Sequence, residues 1–234
     1  MIPYADERRP PVLAVSVWAI VAANAYFFYR ELVAPHPAYV INEFALVPYN
    51  LTHGIQLPAP SPHPYLLTII TSMFLHGGYA HIFFNMLFLI VFGPRMERYL
   101  GHAGFLAVYL LCGIAGGTAQ IWADPSSHVP EIGASGAIAG ILGAYIVTYP
   151  RSRIATITPI GCFPLFLQLP AVLVIGIWAA IQFFLGFETF DPRVNQGGVA
   201  YFAHIGGFSC GAILIGFYGL LAGRNRSGTS RKRQ

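Results

Sequence analysis

Apolar residues gather along the chain into runs long enough to cross a bilayer, with the charged residues collected between them. A spanning helix needs about 20 mostly apolar residues. Segments 11–29, 103–122, 132–149, 164–187 and 199–222 fit that requirement. A sixth run lies within 78–96, where His81 and Asn85 interrupt the apolar residues. The stretch 65–74 is apolar but too short to cross, and Gly77-Gly78 separates it from the sixth run. It reads as an interfacial or re-entrant helix that closes a long loop, 30–76. The pattern predicts an all-α polytopic membrane protein, a bundle of six transmembrane helices with a long first extracytoplasmic loop. The domain organisation that follows is a short N-terminus (1–10), a membrane domain (11–222) and a basic tail (223–234).

Composition agrees with that pattern. Of 234 residues, 56% are hydrophobic and only 9% are charged, whereas soluble domains carry about 25% charged residues. A cytosolic enzyme, a disordered chain and a disulfide-stapled secreted domain are all excluded. The net charge of +4 comes largely from the tail, where Arg224, Arg226, Arg231, Lys232 and Arg233 lie together. Basic residues are not interleaved with aromatics elsewhere, so nucleic acid is not an expected partner. Cys112, Cys162 and Cys210 are odd in number and lack a CxxC spacing, which implies neither a disulfide framework nor a zinc cluster. Cys112 and Cys210 read as small packing residues.

The basic residues also give an orientation. Six spans put both termini on one side, and the basic tail makes that side cytoplasmic. Eleven of the 13 Lys and Arg then fall inside, leaving only Arg30 and Arg193 outside. The first span could instead be a signal peptide cleaved near Ala23-Asn24-Ala25. The run Tyr26-Phe27-Phe28-Tyr29 favours a membrane span, because it reads as an interfacial aromatic belt.

Polar groups within a bilayer are expensive and each needs a reason. His81 and Asn85 lie on the second span, Ser135 on the fourth and His204 on the sixth. These three spans run in one direction, and His81, Ser135 and His204 each follow shortly after the start of their span. All three therefore sit at a similar depth, and Asn85 lies one turn deeper than His81 on the same face. Gly136 and Gly140 are four apart, as are Gly207 and Gly211, a spacing that lets two helix backbones approach closely. If the fourth and sixth spans pack through these glycines, Ser135 and His204 come within reach of each other. A serine becomes a useful nucleophile when an adjacent imidazole takes its proton. No acid lies within a span, so the pair would act as a dyad. His81, the Asn85 amide and the Ser135 N–H are candidate donors to an oxyanion, and Gly133 would let backbone approach substrate. Each feature also has a purely structural explanation. A membrane serine can bond its own i−4 carbonyl, GxxxG spacing serves packing, and a His near a helix end can be interfacial; His76 reads as interfacial or as lining a water path.

The residues HGGYAHIFFN (76–85), GASGAIAG (133–140) and AHIGGFSCG (203–211) resemble, in order and spacing, three motifs of the rhomboid family of intramembrane serine proteases. FGPRMERYLG (92–101) also resembles the cytoplasmic end of that family's second span. The resemblance covers about 65–222 and implies Ser135 as nucleophile and His204 as general base. It places His81, Asn85 and the Ser135 amide in the oxyanion hole. It further implies cleavage of single-span membrane proteins near the outer membrane face without metal or cofactor, with the fifth span and the loop after it as a lateral gate. Two features depart from the pattern. Residues 30–76 contain no Trp-Arg pair, and the position four after the serine, a Tyr in some members, is Ala139.

Two other function classes compete. A non-proteolytic relative would bind transmembrane helices without cutting them, although such proteins usually lack the serine or the histidine. A transporter would be expected to carry intramembrane acids and inverted repeats. Zinc and aspartyl intramembrane proteases lack their motifs here. The expected partners are single-span substrates and membrane lipid, and the expected location is a bacterial plasma membrane, since no transit peptide or large soluble extension is visible.

Overall fold

The computed structural model describes residues 1–8, 13–55, 64–160, 163–189 and 199–230, with side chains through Leu220 in the last segment. Strand β1 (Ile2–Asp6) is followed by α1 (Val15–Val33), two short helices with Pro near their starts, α2 (Pro37–Phe44) and α3 (Pro48–Thr52), and α4 (Thr68–Thr71), flanked by single 3₁₀ turns. Proline suits the first helical turn because the N–H it lacks has no intrahelical partner there. Then come α5 (Tyr79–Ala123), α6 (Ser135–Thr148), β2 (Arg153–Ile160), β3 (Phe163–Pro170), α7 (Ala171–Glu188) and α8 (Tyr201–Ser230).

α5 is two helices, 79–100 and 102–123, joined at Gly101 with φ +73°, a conformation that costs glycine little. In one straight helix Gly93 and Phe105 would lie about 18 Å apart at 1.5 Å per residue. Instead a Cβ built on Gly93 would meet the Phe105 ring at 3.5 Å, so the chain folds back on itself at this break. Among the described residues, α5, α7 and the 201–220 part of α8 are long and apolar enough to cross a membrane. α6 has only 14 residues, yet every residue from Gly136 to Tyr145 is buried. It is the central post of the bundle, enclosed by α5 and α8.

The α6–α8 contact depends on glycine. A Cβ on Gly207 would lie 2.0 Å from the Gly136 carbonyl oxygen, and one on Gly211 would lie 1.9 Å from that of Gly140. With lipid as apolar as the helices, this close backbone packing supplies the dispersion contact that water exclusion cannot. α1 docks through a carboxylate from another helix. Glu97 of α5 accepts the Ser16 and Val17 N–H groups at 2.7 and 2.9 Å, which otherwise lack intrahelical partners.

Two sequence expectations change here. The chain is mostly helical rather than all-α, because β1, β2 and β3 form an antiparallel sheet in that order. The pairing sets Ile2 opposite Ile157 and Arg153 opposite Pro170. As a result the fifth apolar run, 164–187, is divided: its first seven residues belong to strand β3 (Phe163–Pro170) and the helix starts only at Ala171. Pro164 and Pro170 oppose helix there by removing N–H donors. The sheet is fastened to the bundle by Asp6, which accepts hydrogen bonds from Tyr145 Oη at 2.6 Å and Ser152 Oγ at 3.2 Å and pairs with Arg95 at 3.4 Å. The expectations for Arg193 and the end of the basic tail fall outside the described residues.

Candidate active site

Ser135 is the first residue of α6, directly after the loop 124–134. A helix start leaves its first N–H groups without intrahelical partners, so the backbone around Ser135 is a ready set of donors. His204 lies in the first turn of α8. The glycine-mediated contact brings these two turns together, and His204 Nε2 stands 2.7 Å from Ser135 Oγ. Two residues before the serine, Gly133 has φ +121°, and a Cβ there would lie 2.7 Å from His81 Nε2 and 3.6 Å from Asn85 Nδ2. A side chain at 133 would therefore press into the His81 ring while only touching Asn85, and glycine leaves His81 facing the loop.

The hydrogen bonds around His81 and Asn85 fix what each can donate. The Gly77 N–H donates to His81 Nδ1 at 3.4 Å, which leaves the proton on Nε2, the atom facing Gly133. Asn85 Nδ2 donates one hydrogen to His76 Nε2 at 3.0 Å, so one hydrogen remains for another acceptor. His76 is 2% exposed, and its own N–H is held by the Glu31 carboxylate at 3.2 Å. It is buried within the protein, and its ring accepts a hydrogen bond that orients the Asn85 amide.

His81, Asn85, Ser135 and His204 line one cavity of about 640 Å³, which Trp178 of α7 and Gln120 of α5 also line. Loop residue Glu131 borders it as well; burial, with a smaller contribution from the Asp124 charge, pushes its carboxyl up to about 8. Two features escaped the sequence reading. The Trp178 ring packs 5.9 Å from the His204 ring, an aromatic neighbour that Ala139 cannot supply. Gln182 Oε1 lies 2.6 Å from His204 Nδ1. The sequence carries a signal for it, because Gln182 is the one amide in the apolar run 171–187.

The comparisons with known proteins agree with this architecture. The family model described as the Rhomboid domain matches residues 63–221. The chain is 33% identical over 146 residues to rhomboid protease GluP of Bacillus subtilis, covering 62% of this chain and 25% of that protein. It is 30% identical over 156 residues to the mitochondrial rhomboid protein 1 of Saccharomyces cerevisiae, covering 65% of this chain and 41% of that one. RHOMBOID-like protein 5 of Arabidopsis thaliana is 31% identical over 153 residues, 65% and 44% of the two chains. The chain thus spans less than half the length of these curated relatives. With the family model matched over most of its length and its apolar helices built around a shared core, this chain is an integral membrane protein that belongs to the rhomboid family.

Proposed function

We propose that the protein is an intramembrane serine protease that cleaves single-span membrane proteins near the outer membrane face. The observation that carries this reading is the 2.7 Å contact between Ser135 Oγ and His204 Nε2 inside a cavity within the bundle. Relatives named as rhomboid proteases add support. In the proposed reaction Ser135 Oγ attacks the scissile carbonyl carbon while Nε2 takes its proton. His81 Nε2–H, the second Asn85 Nδ2–H and the Ser135 N–H hold the oxyanion. Collapse of the intermediate breaks the C–N bond, and His204 returns its proton to the leaving amine. Water, deprotonated by the same imidazole, then hydrolyses the acyl-enzyme and restores Ser135. None of these steps requires a metal or cofactor.

The same reading includes six spans, with each half of α5 crossing once and α1 and α6 completing the set, and both termini in the cytoplasm. The β1–β2–β3 sheet then lies at the inner face and the cavity opens toward the outer one. The test is cleavage of a tagged single-span reporter by purified protein in detergent, with Ser135→Ala, His204→Ala and added EDTA in parallel. Cleavage by the wild type alone, unaffected by EDTA, is the expected result. Cleavage that persists in Ser135→Ala would overturn the mechanism. Absence of cleavage by any form in detergent and in lipid would favour a helix-binding relative.

A further inference from the structure

The dyad leaves one atom of the base unexplained. His204 has two ring nitrogens; Nε2 faces Ser135 and Nδ1 faces Gln182 Oε1 at 2.6 Å. A carbonyl oxygen can only accept, so Nδ1 carries the hydrogen and Nε2 presents its lone pair to the serine hydroxyl. The reversed amide would direct an N–H at Nδ1 and force the ring proton onto Nε2, where it would block proton abstraction. Only the observed orientation produces a base.

The helix carrying the glutamine is built to hold it there. On α7 the inward stripe is Val174, Ile175, Trp178, Ala179, Gln182 and Gly186, at helical spacing, while Ile177, Ile181, Phe183 and Phe184 point outward. Gln182 is the polar member of that stripe, and an amide in a membrane helix is costly unless it is bonded. One turn further on, a Cβ at Gly186 would meet Ile205 Cδ1 at 2.9 Å and Tyr201 Cβ at 3.4 Å, so α7 and α8 are in close contact beside His204. One turn earlier, Trp178 packs on the imidazole. A hydrogen bond fixes the tautomer and a ring contact limits the tilt, both from the same face of α7.

We propose that Gln182 is a positioning residue for the general base, holding His204 in the Nδ1–H tautomer with Nε2 aimed at Ser135. This inference rests on the assignment of Ser135 and His204 in the proposed function. It also makes the docking of α7 a condition for an assembled dyad, because the group that fixes the base stands on a different helix from either reacting residue.

The test uses the full chain in detergent and two substitutions. Gln182→Met keeps the length and removes the acceptor; Gln182→Glu keeps an acceptor and adds charge. Turnover of a single-span reporter (kcat and KM separately), the rate of Ser135 labelling by a fluorophosphonate, and the pH profile are measured for each. The groups that titrate around the cavity are His204, His81 from α5 and Glu131 from the loop before α6. For Gln182→Met, kcat and labelling rate fall about 10-fold, in line with the loss of one hydrogen bond, and KM is unchanged. Gln182→Glu recovers activity, and its acidic limb moves to higher pH because a carboxylate on Nδ1 favours the imidazolium. If the Met variant does not fold, the shifted acidic limb of the Glu variant still tests the contact. Wild-type kcat in Gln182→Met, or an unshifted acidic limb in Gln182→Glu, overturns the proposal. A wild type that neither cleaves nor is labelled at Ser135 instead overturns the protease reading, and this inference falls with it.

Discussion

Substituting Gly207 by Ala tests the route from glycine spacing to catalysis without touching a reacting group. The added Cβ would sit 2.0 Å from the Gly136 carbonyl oxygen, 2.8 Å from its carbon and 3.3 Å from the Cys112 carbonyl oxygen. All three neighbours include or are backbone atoms, so no side chain can swing aside. Real Cβ contacts essentially never fall below 3.0 Å, and α8 must therefore retreat from α6 by at least about 1 Å. His204 is three residues, about 4.5 Å, along the same helix from this contact, and Ser135 is adjacent to Gly136. The displacement therefore acts directly on the 2.7 Å Ser135–His204 hydrogen bond and carries it beyond proton-transfer range. A 1 Å misplacement costs about 10²-fold in rate, and overpacking costs roughly 1–3 kcal/mol of stability. The assay is kcat and KM for a single-span reporter in detergent, with thermal unfolding in parallel. The control is Gly219→Ala, where the new Cβ meets nothing within 4 Å and kcat is expected to stay unchanged. Gly207→Ala with wild-type kcat would refute the link between helix approach and the dyad.

Further outcomes follow from the same geometry. Asn85→Ala removes one oxyanion donor and should lower kcat about 10²–10³-fold with little change in KM; an unchanged kcat would take Asn85 out of the oxyanion hole. Glu97→Ala leaves the Ser16 and Val17 N–H groups without their acceptor and should destabilise by on the order of 2–3 kcal/mol, read as a lower Tm in detergent. Glu131 has a carboxyl raised to about 8, chiefly by burial. Its proton is bound more tightly folded than unfolded, so the stability it contributes is complete below about pH 4.5 and is lost as pH rises through 8. Glu131→Gln should flatten that decline and raise Tm at pH 8 and above, and parallel Tm curves for the two proteins would reject the assignment.

What the sequence determined is what depends on neighbours along one helix. The four-residue spacing of His81 and Asn85 places them on one face, and GxxxG spacing makes two faces able to meet, because helical periodicity is a local property. The apolar runs indicated a membrane protein because the cost of burying charge in lipid is paid residue by residue. The separation of 65–74 from the run that follows was legible at Gly77-Gly78. The tertiary structure decided whatever depends on how elements cross. Residues 163–170 are as apolar as a span, but they pair with β2 instead, and hydropathy alone cannot distinguish a short apolar strand from part of a helix. His76 left two readings open in the sequence, and its contacts with Glu31 and Asn85 come from residues 45 and 9 positions away. Gln182 lies 22 residues before His204 on a separate helix. Its register on α7 gives it a face, but only the angle and distance at which α7 meets α8 turn that face toward Nδ1.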